Sequence, residues 1–184
     1  MKMQEVRKRF WLEKFDCLSI SGNDAKKFLN GITTGNILDS KTKVCKTCWL
    51  TPSGVLRAVI EVIFLDEKLE LVILVGDRDE IIKYFEKIIF PSDDVILNDP
   101  FSINRFQEVD EINSWKIYQP FFLKNEDKDY EIYKNQINIL NQNELKIWKI
   151  NQAIPSLSNE IDNKNNPLEL GLTDLIDFNK GCFL

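Results

Sequence analysis

The 184-residue sequence contains no histidine, which removes the usual general base of serine and cysteine hydrolases and the commonest transition-metal ligand. Cysteine is scarce at four, and only Cys45 and Cys48 stand close together, in the C-x-x-C spacing used by redox and zinc sites. Residues 44–50 read as a strand, however, and side chains three apart on a strand face opposite ways. Two such thiols do not readily close a disulfide or share an ion, so no metal site is expected. Neither a P-loop nor a dinucleotide glycine fingerprint occurs. No apolar run approaches the roughly 18 residues of a membrane-spanning helix. The basic start, with Lys2, Arg7, Lys8 and Arg9, lacks the apolar segment of a secretory signal. A cytoplasmic protein without membrane attachment is the expectation. Excess positive charge is missing too: 24 Lys and Arg stand against 29 Asp and Glu, a net charge of −5. A direct nucleic-acid partner is therefore not expected.

What is present is ordinary for a soluble globular chain, 43% hydrophobic and 29% charged. Its length allows a sizeable core and fits one large domain or two small packed lobes, with a single compact unit as the expectation. Residues 14–21 alternate as a strand, and Ser21 followed by Asp24 predicts a capping box opening a helix. Ala25, Phe28, Leu29 and Ile32 then repeat at helical spacing along one face. After the strand at 44–50, Thr51-Pro52-Ser53-Gly54 predicts a chain reversal. Strands follow at 55–65 and 69–75, and Asp77 with Glu80 caps a helix whose buried stripe is Ile81, Phe85 and Ile88. Beyond Pro91, short strands are predicted at 95–97, 102–106, 115–118 and 130–133. A helix is predicted at 143–152 and a polar surface loop at 159–166. The fold class is α+β, antiparallel sheet with packed helices.

Four stretches carry a resemblance. They are Gly22-Asn23-Asp24-Ala25, the run from Phe28 to Thr34, Asn166-Pro167-Leu168-Glu169-Leu170-Gly171-Leu172, and the ending Lys180-Gly181-Cys182-Phe183-Leu184. Together they resemble the YgfZ-type folate-binding proteins, relatives of the glycine-cleavage T-protein, whose late K-G-C-[YF]-x-G-Q-E motif breaks off here after Leu184. The resemblance covers 15 to about 99 and 145–184. It implies an aminomethyltransferase folate-binding-domain-like fold, with an N-terminal α+β lobe at 1–110 and a second lobe at 111–184. It also implies a chain truncated within the motif, lacking the family's C-terminal barrel domain.

By that resemblance the ligand is tetrahydrofolate or a derivative, and the role is support of iron-sulfur enzymes and thereby tRNA modification. Iron-sulfur enzymes are then indirect partners. Cys182 is the implied functional thiol, with Lys180 and Gly181 beside it; without the resemblance, a lone cysteine reads as a small hydrophobe. The stretch from Leu145 to Pro155 resembles the family's W-x-x-x-R-I-E-A-G-I-P, placing Trp148 one turn from the family tryptophan and Asn151 at the pterin-bonding glutamate. Both core packing and a ligand-facing position remain open for Trp148. For Phe15, at a folate-contacting tryptophan in some relatives, stacking and core packing are likewise both open. Asn30 to Thr34 reads as mainly architectural, with Gly31 suited to a left-handed helix end.

T-proteins place a carboxylate after the turn where this chain has Arg57, which cannot act as a base. An aminomethyltransferase is therefore the weakest reading, and a classical enzyme activity is not expected. The alternative to a folate-binding protein is a non-enzymatic, truncated interaction module.

Overall fold

In the computed structural model the described residues are 8–109, 115, 121–123, 138–157, 160–162 and 164–181. They form an α+β fold of antiparallel sheet with a few helices, as the sequence pattern predicts. The chain forms two compact units, one of residues 1–15 with 102–154, the other of 16–101 with 155–184. Two long strands, β1 (Arg9–Ser21) and β5 (Ile96–Val109), contribute to both.

In the larger unit, β2 (Val44–Leu50), β3 (Leu56–Phe64) and β4 (Lys68–Val75) form an antiparallel meander. The end of β1 pairs with β4. Alternation sorts the side chains: Leu18, Ile20, Ile60, Val62, Leu71 and Ile73 belong to one apolar cluster. Helices α1 (Ala25–Ile32) and α2 (Arg78–Ile88) complete that cluster with Leu29, Ile32, Ile81 and Phe85. Each fully buried side chain of this kind contributes about 1.5–3 kcal/mol. Strand β2 also carries Lys46, whose ammonium lies 3.4 Å from the buried carboxylate of Glu61 on β3.

The expected turn at 51–54 is present, with Gly54 at φ 82° and its N–H donating to the Thr51 carbonyl. Asp77 caps α2 through Glu80 N–H at 3.0 Å, as predicted. The capping box expected at Ser21 does not form. Asp24 is the N-cap of α1 but makes no side-chain cap bond, because its carboxylate accepts the Asp94 N–H instead. Asn23 donates to Asp94 from backbone and side chain at 2.9 and 2.6 Å. A Cβ on Gly22, whose φ is 104°, would stand 2.1 Å from the Asp94 carbonyl oxygen. Gly22-Asn23-Asp24 is thus a clip onto the Asp94 backbone and carboxylate, in which the close approach at position 22 requires glycine.

Gly31 is no left-handed cap either. It lies inside α1, which runs on to Ile32 and is capped by an extended Thr33.

The Asn166 to Leu172 stretch folds as one capped helical turn. The Asn166 side chain accepts from Leu168 and Glu169 N–H, while Glu169 returns to Asn166 N–H at 2.8 Å. Pro167 sits where a helix needs no donor, and Gly171 closes the turn at φ 66°. The loop before it differs from the expected surface loop: Ile161 is buried, and the Asn165 carbonyl accepts the Leu56 N–H at the start of β3.

In the smaller unit, β7 (Asn138–Ile139) pairs in parallel with the start of β1, and β6 (Phe121–Leu123) pairs antiparallel with β5. Helix α3 (Gln142–Asn151) carries a full capping box between Asn141 and Glu144. Outside the described residues lie the strands expected at 116–118 and 130–133; Trp115 itself sits in a turn. Among the described residues no helix is long and apolar enough to cross a membrane.

Candidate functional site

The first part of β1 presents Trp11, Glu13 and Phe15 at alternate positions, hence on one face. Trp11 is buried, with its ring edge-on to Phe15 at 5.9 Å and tilted against Trp148 of α3 at 5.0 Å. The Arg105 guanidinium of β5 stands 4.5 Å above the Trp11 ring and donates to the Gln107 side-chain oxygen at 2.6 and 3.1 Å. A fully buried arginine against an indole gains from the ring's negative face.

Polar groups converge on the same place. Glu13 accepts from the Trp11 indole N–H at 2.7 Å and from the Lys149 ammonium at 2.6 Å. Trp115, further along the chain, donates its indole N–H to the Gln152 carbonyl at 3.0 Å. By contrast, the Trp148 indole N–H is buried and has no hydrogen-bond partner among the described residues. Such a group forfeits about 1–3 kcal/mol until something accepts from it.

The structure therefore brings Phe15 and Trp148 into one aromatic group around Trp11, and Phe15 is buried there. Asn151, at the end of α3, is exposed to solvent. The sequence reading missed Trp11, Glu13, Lys149 and Arg105. The first two were legible, since alternation of Trp11, Glu13 and Phe15 extends the strand back past Lys14.

Lys180 and Gly181 belong to the other unit. The Lys180 ammonium donates to the carbonyls of Asn30 and Thr33, and to that of Gly35 at 3.1 Å. It thus occupies the negative end of α1. Burial pulls its pKa down, while Asp177 and Cys45 oppose the shift. Burial in turn pushes the Cys45 thiol up, against the nearby Lys180 and Lys46 charges. Gly181 takes φ 87°. Cys182 lies outside the described residues.

Beside Lys180, Thr34 after α1 and Thr47 of β2 form a buried knot. Thr34 Oγ1 donates to the Leu175 carbonyl at 2.7 Å and accepts the Cys48 N–H at 2.9 Å. Thr47 Oγ1 accepts the Gly35 N–H at 2.6 Å. The expected architectural role of Asn30 to Thr34 takes this form.

No protein-family model matches the chain, and no curated protein matches it. The chain is similar in part to several solved structures. Among them is the glycine cleavage system aminomethyltransferase T from Bartonella henselae, 16% identical with a TM-score of 0.46. The likeness covers 55% of this chain and 29% of that one, so the chain spans less than a third of that protein's length.

Cys45 and Cys48 both lie on β2, three residues apart. Among the described residues, no group of three His, Cys, Asp or Glu side chains is placed to hold a metal ion. Arg57, on β3, pairs its guanidinium with Glu80 of α2.

Proposed function

We propose that this chain is a folate-binding protein of the YgfZ type, which takes up tetrahydrofolate or a derivative in the cytoplasm. Its role in this reading is to support iron-sulfur enzymes, and through them tRNA modification, with no direct nucleic-acid contact. The observation that carries the proposal is the buried, unpartnered indole N–H of Trp148 beside the Trp11 ring.

A pterin needs an aromatic face to stack on, a donor for its ring acceptors and an acceptor for its own N–H groups. Trp148 offers the first two. Glu13 supplies a carboxylate in the same group, where Asn151 has lost the family's charge, and Phe15 and Arg105 back the tryptophans. Cys182 is the functional thiol in this reading, with Lys180 and Gly181 holding the turn before it. Aminomethyl transfer is not part of the proposal, because Arg57 is cationic and committed to Glu80.

Calorimetric titration of the protein with 5-formyltetrahydrofolate tests the reading. Saturable one-to-one binding is expected. Trp148→Phe keeps an aromatic ring but removes the orphaned donor, so it should weaken binding roughly 2–10-fold in a chain that still unfolds cooperatively. A flat titration with the folded wild-type chain ends the proposal. Cys182→Ser that left client iron-sulfur enzymes fully active would remove the thiol from it.

A further inference from the structure

The last turn of α1 holds Asn30 directly before Gly31, the one Asn-Gly pair in the sequence. An asparagine side chain can be attacked at its amide carbon by the main-chain nitrogen of the next residue. Glycine in that next position favours the attack, because no Cβ hinders the approach and the backbone reaches the angles that ring closure needs. Gly31 also has free space beside it: a Cβ built there meets nothing within 4 Å.

The fold polarises the amide while it withholds the nucleophile. Asn30 Oδ1 accepts the Ile37 N–H at 2.9 Å and the Leu38 N–H at 3.4 Å. Two backbone donors therefore stand at the oxygen where negative charge would develop on attack. Helical ψ, however, turns the Gly31 N–H back towards the preceding turn and away from the Asn30 side chain. The Lys180 ammonium ties that turn down, donating to the carbonyls of Asn30, Thr33 and Gly35.

We propose that Asn30 is a site of spontaneous deamidation, gated by the Lys180 strap. When the last turn of α1 opens, the Gly31 nitrogen gives its proton to hydroxide and bonds to Asn30 Cγ. The Cγ–Nδ2 bond breaks, ammonia leaves with a proton from water, and a succinimide remains. Water then opens the ring at one of two bonds. Opening at Cγ restores the main chain and leaves an aspartyl carboxylate, which the Ile37 and Leu38 N–H groups bond more strongly than the amide. Opening at the main-chain carbon gives an isoaspartyl link, in which the Asn30 carbonyl that Lys180 held has become a free carboxylate. This device is independent of the folate reading and of Trp148.

The test incubates the full chain at mildly alkaline pH, folded and in urea, and follows the Asn30 and Asn98 peptides by mass spectrometry. Folded wild type should convert at Asn30 about tenfold or more slower than the unfolded chain. Lys180→Met should raise the folded rate at Asn30 about tenfold, with Asn98 and the unfolded rate unchanged. Gly31→Ala should slow conversion about tenfold even in urea. Hydrogen exchange of the Gly31 amide supplies a reading on wild type alone: as urea is added below the unfolding transition, opening and conversion should rise together. Folded conversion as fast as unfolded, a Lys180→Met rate equal to wild type, or an equal rise at Asn98 overturns the proposal. So does conversion indifferent to Gly31→Ala in urea, or conversion that rises without opening of the Gly31 amide.

Discussion

Lys180 donates to the carbonyl oxygen of Gly35 across 3.1 Å. With Asn30 and Thr33 accepting from the same ammonium, one side chain gathers three carbonyls at and just past the end of α1. Lys180→Met keeps the length and loses the donors. It should destabilise the protein by about 1.5–3 kcal/mol, read as a lower urea midpoint at unchanged m-value. The same change removes a positive charge near Cys45. Alkylation of Cys45 by iodoacetamide at mildly alkaline pH, followed by peptide mass spectrometry, should become slower.

Thr34 is buried with its hydroxyl shared between β2 and the Leu175 carbonyl. Thr34→Val is nearly isosteric but leaves the Cys48 N–H and the Leu175 carbonyl short of a partner. A loss of about 1–3 kcal/mol is expected in thermal or urea unfolding. A variant as stable as the parent would show that the hydroxyl is replaceable by water.

Two glycines should respond in opposite directions. Gly22→Ala meets both a positive φ and a backbone oxygen 2.1 Å away, so a loss of about 2 kcal/mol or more is expected. Gly31→Ala, in regular helix with open space beside it, should gain about 0.5–1 kcal/mol. Paired thermal melts check both.

Glu160 gives a pH dependence. Hydrogen bonds from the Ser156 hydroxyl and N–H, at 2.6 and 2.8 Å, hold its carboxyl below the ordinary glutamate value. A depressed folded pKa stabilises above the unfolded value and ceases to do so as pH falls through the folded one. Glu160→Gln should therefore cost about 0.5 kcal/mol near neutrality, a figure discounted for solvent screening. The difference from wild type should vanish in acid, in urea midpoints measured across the range.

Where burial follows periodicity, the sequence was readable. Helix α2, the 51–54 turn and the meander β2 to β4 follow apolar spacing and turn chemistry, and they lie where the pattern puts them. The start of β1 does alternate, with Trp11, Glu13 and Phe15 on one face, but the consecutive Phe10, Trp11 and Leu12 mask that period. Strand β5 was hidden because Asn98-Asp99-Pro100 has turn composition, yet it runs unbroken from Ile96 to Val109. For the candidate site, Trp148 and Phe15 entered through the family resemblance, and both lie against the Trp11 ring. Arg105 was not legible, since nothing in its local sequence marks a cation for burial over an indole. The clip at Gly22 was invisible for a related reason: its partner Asp94 lies far along the chain, and local rules see only neighbours.

The lysine that closes α1 is synthesised 145 residues after Gly35. At ribosomal speeds of about 5–20 residues per second, the helix end waits roughly 7–30 s for its cation. During that interval the nascent larger unit has its hydrophobic layer but not its final strap. Protease or chaperone access to the end of α1 should therefore fall once residues 155–181 have emerged.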